Sequence, residues 1–310
     1  MEIIDGKKLA KTTRENLRLE VEELKENGIN PKLAVIMVGN NSASQIYVRN
    51  KSRACDEVGI EFEEYLLPAT TEQSELLNLI DKLNKQEDIN GILLQSPIPD
   101  GLDINEAFRK ISPEKDVDGF HPVNVGKLVL GQDTFVSCTP YGIMRMFEAY
   151  NIDLEGKNAV VIGRSNIVGK PMSHCLLNKN ATVTICHSRT KNLAEITKRA
   201  DILVAAIGKA EFVKADMVKE GAVVIDVGIN RMNDGSLCGD IDFDNVKISL
   251  KQNYKMEEVD NTIFSYLEHA KGNDLKVSDF KNNVDGTYEA GLSKLEKRGI
   301  SNITPCYDKE

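Results

Sequence analysis

The feature that most constrains this chain is a series of short, wholly apolar runs. "KLAVIMVG", "NGILLQ", "NAVVIG", "DILVAAIG" and "GAVVIDVG" are rich in Val, Ile and Leu and close on glycine or a polar residue. Apolar runs of strand length without polar alternation fit strands buried on both faces, as in parallel sheets covered by helices. Between them lie segments with apolar residues at helical spacing. The first, over about 7–27, carries Leu9, Leu17, Val21 and Leu24 and stops at Gly28. A helix is predicted over about 42–58, then a strand "FEEYLLP", a helix over about 72–86 and the strand "INGILLQ". The order β-α-β-α-β predicts a doubly wound α/β layer.

A second run of the same kind begins near Tyr141. The helix "YGIMRMFEAYN" leads to the strand "NAVVIG", the helix "KPMSHCLLNKN", the strand "ATVTICH", the helix "NLAEITKRA" and the strands "DILVAAIG" and "GAVVIDVG". The stretch 96–141 is rich in proline, with apolar residues interleaved, and reads as ordered loops. Ordered loops at the ends of parallel strands are where such folds place ligands. The last part of the chain is polar. Its pattern predicts one helix over 255–271, with Met256, Val259, Ile263, Phe264 and Leu267 at helical spacing, and no further buried strand.

Charge and cysteine usage narrow the function classes. The net charge of −9 argues against a general nucleic-acid binder, which needs a basic surface. The cysteines at 55, 138, 175, 186, 238 and 306 form no Cys-x-x-Cys pair, so neither a metal site nor a disulfide framework is expected. The N-terminal "MEIIDGKKLAK" has no apolar signal core, and the apolar runs are too short to span a bilayer. The expectation is a cytoplasmic protein with no membrane partner.

"AVVIGRSNIVGKP" reads as a strand, a tight turn and a helix start, with Gly163 and Gly169 flanking the turn. Backbone N–H groups at a helix N-terminus attract anions, and glycines let a pyrophosphate approach. The match to G-x-G-x-x-G is loose, with Ser165 in the middle glycine's place and the last glycine displaced by one residue. On these residues alone, a plain strand-to-helix turn fits as well. The following strand ends in His187, Ser188 and Arg189, where an NAD site would carry an acidic residue, and Arg164 lies in the turn itself. Guanidinium and hydroxyl groups suit a 2′-phosphate, which favours NADP, although both arginines also fit an ordinary surface.

A second polar group gathers in the first layer. On a helix over 42–58, Ser44, Tyr47 and Lys51 share one face, starting at the C-terminal edge of a parallel strand. Gln95 ends another strand at the same edge, where an amide can orient an amine. The loop "EKDVDGF" supplies Asp116 and Asp118, and a carboxylate there can accept two N–H bonds from an amino-pyrimidine edge. Each residue also has a bland reading: a solvated Tyr and Lys, a strand-end amide, two turn-forming aspartates. A short-chain dehydrogenase also uses Tyr-x-x-x-Lys, but there the pair follows the phosphate turn, whereas Tyr47 precedes Gly163.

Taken together, the chain resembles the bifunctional methylenetetrahydrofolate dehydrogenase/methenyltetrahydrofolate cyclohydrolase family over about residues 2–247. The stretches that carry the resemblance are "VGNNSASQIYVRNKSRACDEVGI", "GILLQSPIP", "SPEKDVDGFHPVNVGKL", "CTPYGIM", "GKNAVVIGRSNIVGKPMSHCLLNKNATVTICHSRT", "ADILVAAIGK" and "GAVVIDVGIN". The resemblance implies an α/β fold of two doubly wound domains flanking a cleft: a folate-binding catalytic domain over 1–138 and a Rossmann-type dinucleotide-binding domain over 139–247, with an atypical tail over 248–310. It implies a homodimer and NADP-dependent oxidation of 5,10-methylenetetrahydrofolate to the methenyl form, then hydrolysis to 10-formyltetrahydrofolate. Carried over by motif, Lys51 is the acid–base residue of the hydrolysis, Gln95 holds it, Tyr47 positions the folate, Asp118 binds the pterin edge and Ser44 joins the network. Gly163, Arg164, Ser165, Ile167, Ser188 and Ile229 are implied to contact NADP.

The sequence departs from the family pattern at three places. Ser96 replaces the usual leucine after the glutamine, and Ser137 the usual proline before "CTP". After "GDIDFDNVK" the usual Pro-Gly-rich loop and returning helix are absent; "VDGTYEAGLSKLEKRGISNITPCYDKE" instead resembles a segment of pyruvate:ferredoxin oxidoreductases. A second reading therefore stands beside the enzyme: a catalytically impaired homologue that retains nucleotide or folate binding.

Overall fold

The computed structural model describes residues 4–246 and the backbone of Tyr254 and Lys255. The first half builds α1 (Gly6–Glu26), β1 (Lys32–Val38), α2 (Ser42–Val58), β2 (Glu61–Leu67), α3 (Gln73–Lys85) and β3 (Gly91–Gln95). The three strands form a parallel sheet in the order β2-β1-β3. Its apolar central strand has the reason expected from the sequence. Leu33, Val35 and Met37 face one side and pack with Leu17, Val21 and Leu24 of α1 and Val48, Cys55 and Val58 of α2. Ala34, Ile36 and Val38 face the other side and pack with Leu76, Ile80 and Leu83 of α3. A period of two on a strand covered by helices on both faces leaves no place for a polar residue until the strand ends.

Helix boundaries follow local chemistry. The Asn41 side chain accepts from Ser44 N to start α2, and Gly59 ends it in the left-handed region at φ 83°. The stretch 96–141, expected as loops, also carries α4 (Ile104–Lys110) and α5 (Pro122–Val129). Asp103 caps the first by accepting from Asn105 N and Glu106 N; His121 Nδ1 accepts from Val123 N ahead of the second, with Pro122 in its first turn. These are ordinary start signals that the high proline content obscures.

The second half runs through α6 (Cys138–Ala149), β4 (Asn158–Ile162), α7 (Gly169–Asn178), β5 (Thr182–Cys186), α8 (Leu193–Thr197), β6 (Ile202–Ala205), β7 (Val223–Asp226), β8 (Asn230–Arg231), β9 (Leu237–Cys238), α9 (Phe243–Val246) and β10 (Tyr254–Lys255). The main sheet is parallel in the order β10-β7-β6-β4-β5, and β8 and β9 form an antiparallel ribbon. Helix α6 packs on both α1 and α7 and so joins the two layers. Tyr150 beyond its end accepts from Asp5 N at 2.7 Å. The expectation of no further strand in the tail is corrected at one point: Tyr254 and Lys255 pair with Ile225 and Asp226 of β7. A helix beginning at 255 does not fit that pairing, and the rest of 255–271 lies outside the described residues. Among the described residues, no helix is long and apolar enough to cross a membrane.

Two buried aspartates lock the loops at the C-terminal edge of this sheet. Asp226 accepts from Gly228 N, Asp240 N and Ile241 N. Asp240 accepts from Ile207 N, Gly208 N, Lys209 N and Asn230 Nδ2. Such acceptors convert unpaired backbone donors into fixed loop geometry. Asp240→Ala strands three backbone N–H groups, at a cost of about 3 kcal/mol or more, and thermal denaturation is expected to fall by roughly 6–12 °C. An unchanged melting temperature would show that water replaces the carboxylate freely.

Candidate active site

The first site lies where β1 and β3 end. Met37, next to last in β1, is the register partner of Gln95, the last residue of β3, so both strands end at one edge, beside the start of α2. Lys51 Nζ donates to Gln95 Oε1 at 3.1 Å. The other end of that amide is also engaged: Gln95 Nε2 donates to Ser96 O at 2.7 Å, which turns the oxygen toward the lysine. One helical turn earlier, the Tyr47 ring centroid lies 6.0 Å from Lys51 Nζ and its side chain is exposed. Ser44, another turn back, is buried with its hydroxyl 3.5 Å from Ser96 O. Along the stripe Ser44 is buried, Tyr47 exposed and Lys51 half-buried.

Asp118 completes the group. Burial pushes its carboxyl up to about 6, the Lys51 charge draws it down and Asp116 pushes it further up. Cys138 Sγ, 3.8 Å from Asp118 Oδ1, adds a weak donor. The residue as a whole is half-buried. Asp116 has a different job. It is 2% exposed and accepts from His121 N and Asn124 Nδ2, which braces its own loop. Of the two aspartates singled out in the sequence, Asp116 is the one engaged by its own loop.

The dinucleotide turn stands at the end of β4. Gly163 has φ +123°, and a Cβ there would lie 2.2 Å from Ala206 O; a Cβ on Gly169 would lie 2.4 Å from Gly163 O. Both positions are closed to a side chain, which makes the glycines a requirement of the turn. Ser165 Oγ accepts from Val168 N and Gly169 N at 3.2 Å each and starts α7. Arg164, Ser165 and Ile167 are exposed in the turn, Ser188 is exposed after β5, and Ile229 is exposed after β7, all at the C-terminal edge of the sheet. His187 N donates to Thr190 Oγ1 and Arg189 N to His187 Nδ1, forming a tight turn that leaves the Ser188 and Arg189 side chains outward. Among the described residues, neither the Arg164 nor the Arg189 guanidinium has a carboxylate partner. No cluster of His, Cys, Asp or Glu among the described residues could hold a metal ion.

Two contacts escaped the sequence reading. The aspartate lock through Asp226 and Asp240 carries no local signal beyond two acidic residues. The hydroxyl of Ser137 reaches Ile167 O in the turn, a pairing that only the fold reveals.

Comparison with known proteins gives this geometry its context. Residues 4–118 match the family model of the tetrahydrofolate dehydrogenase/cyclohydrolase catalytic domain, and residues 137–253 that of the tetrahydrofolate dehydrogenase/cyclohydrolase NAD(P)-binding domain. The bifunctional protein FolD of Halalkalibacterium halodurans is 56% identical over 245 residues, covering 79% of this chain and 88% of that protein. The chain belongs to the tetrahydrofolate dehydrogenase/cyclohydrolase family. FolD of Campylobacter hominis is 58% identical over 246 residues, 79% of this chain and 87% of that protein. The crystal structure of the bifunctional FolD of Campylobacter jejuni superposes with a TM-score of 0.84 at 45% identity, over 91% of this chain and 99% of that one. The Trypanosoma brucei enzyme, solved with NADP cofactor and an inhibitor, gives 0.80 at 33% identity, over 92% of this chain and 99% of that one. The two-layer α/β fold with a Rossmann-type second half is the fold of these structures. Residues 258–301 match a separate model, described as a domain of unknown function.

The raised Asp118 carboxyl sets a pH dependence. A carboxyl held above its ordinary range in the folded state contributes stability at acid pH that is lost as pH rises through about 6. Asp118→Asn removes the charge, so the variant is expected to match the parent near pH 4 and to melt at least about 2 °C higher at pH 8. Parallel melting curves across that range would contradict the assignment.

Proposed function

We infer that this chain oxidises 5,10-methylenetetrahydrofolate with NADP and hydrolyses the resulting methenyl compound to 10-formyltetrahydrofolate. The observation that carries the inference is the Lys51–Gln95 hydrogen bond at the sheet edge with Asp118 in its field. In this reading Asp118 accepts N–H bonds from the pterin edge and Tyr47 lies against the folate. Gln95 fixes the Lys51 amine, and Ser44 supports the backbone beneath it. Hydrolysis of a cationic amidine needs a group that gives and takes protons beside the one-carbon bridge, and Lys51 is placed to do so. The tight turn that Gly163 and Gly169 permit at the start of α7, and the Arg164 and Arg189 side chains, without a carboxylate partner among the described residues, suit a phosphorylated dinucleotide. Gly163, Arg164, Ser165, Ile167, Ser188 and Ile229 would hold NADP, with Arg164 toward the 2′-phosphate. When bound, NADP supplies the hydride acceptor for the methylene carbon. The protein's own task in that step is to hold the two reactants in contact.

The other reading, a homologue that binds without turnover, is not favoured, because the chain is 56–58% identical to bifunctional FolD proteins over 79% of its length. We also propose the divisions 1–138, 139–247 and 248–310; the tail over 248–310 is then a segment of separate origin, a reading supported by the distinct family model over 258–301. A homodimer through the second lobe is proposed on the same footing. Strand β5 ends the sheet and exposes Ile185, and Leu177 of α7 is exposed, which suits docking of a second copy. A cytoplasmic location is proposed with it.

The test is a pair of assays on the full chain and on Lys51→Met. The unaltered chain is expected to form NADPH from methylenetetrahydrofolate and to consume supplied methenyltetrahydrofolate. Lys51→Met is expected to lose hydrolysis by at least about a hundredfold while NADP binding stays within about twofold. NADP binding without any NADPH formation by the unaltered chain would defeat the dehydrogenase, and full hydrolysis by the variant would defeat the role of Lys51.

A further inference from the structure

Ser137 occupies the residue before α6, where a serine ordinarily accepts an N–H from the first turn of its own helix. It makes no such bond. Its hydroxyl instead donates to Ile167 O at 2.5 Å, and the residue is only 4% exposed. Ile167 belongs to the dinucleotide turn, whose residues Arg164–Ile167 stand exposed above the sheet. Ser165 already caps the far side of that turn at Val168 and Gly169. The Ser137 bond therefore ties the turn to the N-terminal end of α6. One residue on, Cys138 Sγ rests on Asp118 Oδ1. Adjacent residues at one helix N-terminus thus touch the cofactor turn and the folate-cleft carboxylate.

We propose that Ser137 is a positioning residue for hydride transfer, its hydroxyl holding the dinucleotide turn in register with the cleft that contains Asp118. The proposal rests on the functional reading above and adds a residue to it. Hydride transfer depends on close approach of two bound molecules, so a turn displaced by a fraction of an ångström lowers its rate. Hydrolysis at Lys51 needs no cofactor and should not register the change. A proline at this position could not make the bond, since it has no hydroxyl.

The experiment compares Ser137→Ala and Ser137→Thr in the full chain. Dehydrogenase turnover, the dissociation constant of NADP and hydrolysis of supplied methenyltetrahydrofolate are each measured. Ser137→Ala is expected to lower dehydrogenase kcat about tenfold and weaken NADP binding about fivefold, the scale of one lost buried hydrogen bond. Hydrolysis should stay within about twofold of the parent, which also shows that the variant folds. Ser137→Thr, which keeps the hydroxyl, is expected to restore most of the dehydrogenase activity. Unchanged dehydrogenation and NADP binding in Ser137→Ala, equal loss of both activities, or no rescue by threonine would each overturn the proposal. If the unaltered chain reduces no NADP, the functional reading fails instead, and the dissociation constant of NADP alone still decides whether Ser137 holds the turn.

Discussion

Helices cover both faces of each parallel sheet, and everything polar in the site follows from that constraint. Along β1 every residue after Lys32 is buried, alternately toward α1 and α2 and toward α3. A polar side chain on such a strand has no solvent on either side, so the chemistry collects where the strands stop. Gln95 is the last residue of β3, Gly163 follows β4, and the lysine that meets Gln95 comes from the helix that follows β1. The second sheet repeats the arrangement, and Asp226 and Asp240 fix its loop ends against each other.

Within that edge, the decisive electrostatic pairing is between Lys51 and Asp118. Burial favours the neutral carboxylic acid, while the ammonium charge favours the carboxylate. The balance leaves Asp118 titrating at about 6, within reach of physiological pH. A carboxyl poised there can be drawn into its charged, accepting form by a ligand that brings N–H donors, so substrate binding and ionisation reinforce each other. Gln95 has no charge to contribute. Its value is geometric, because both ends of the amide are engaged and the acceptor faces Lys51.

Much of this was legible in the sequence, and for physical reasons. Apolar runs of strand length, glycine stops and helical spacing located β1, β3, β4, β6 and β7 and bounded α2 to the residue, because local signals and burial agree there. Lys51, Gln95 and Asp118 were legible through their motifs and strand-end placement. The short helices α4 and α5 were not, since proline and loop residues mask capping signals as simple as Asp103 and His121. Without the family resemblance, which singles out Asp118, Asp116 looked equivalent to it, because the residues alone do not say which carboxylate the loop consumes. The reach of Ser137 to Ile167 was invisible for a deeper reason: it joins residues distant in sequence, which the packing of α6 on α7 brings together.

The central claim is that Lys51, Gln95 and Asp118 line one folate cleft facing the dinucleotide turn. A crystal structure of the full chain with NADP and a non-reacting folate analogue tests it most directly. The account predicts the amino-pyrimidine edge of the pterin on the Asp118 carboxylate at about 2.7–3.1 Å, with Lys51 Nζ facing the one-carbon position. A pterin seated elsewhere, with Asp118 and Lys51 both out of contact, would contradict it.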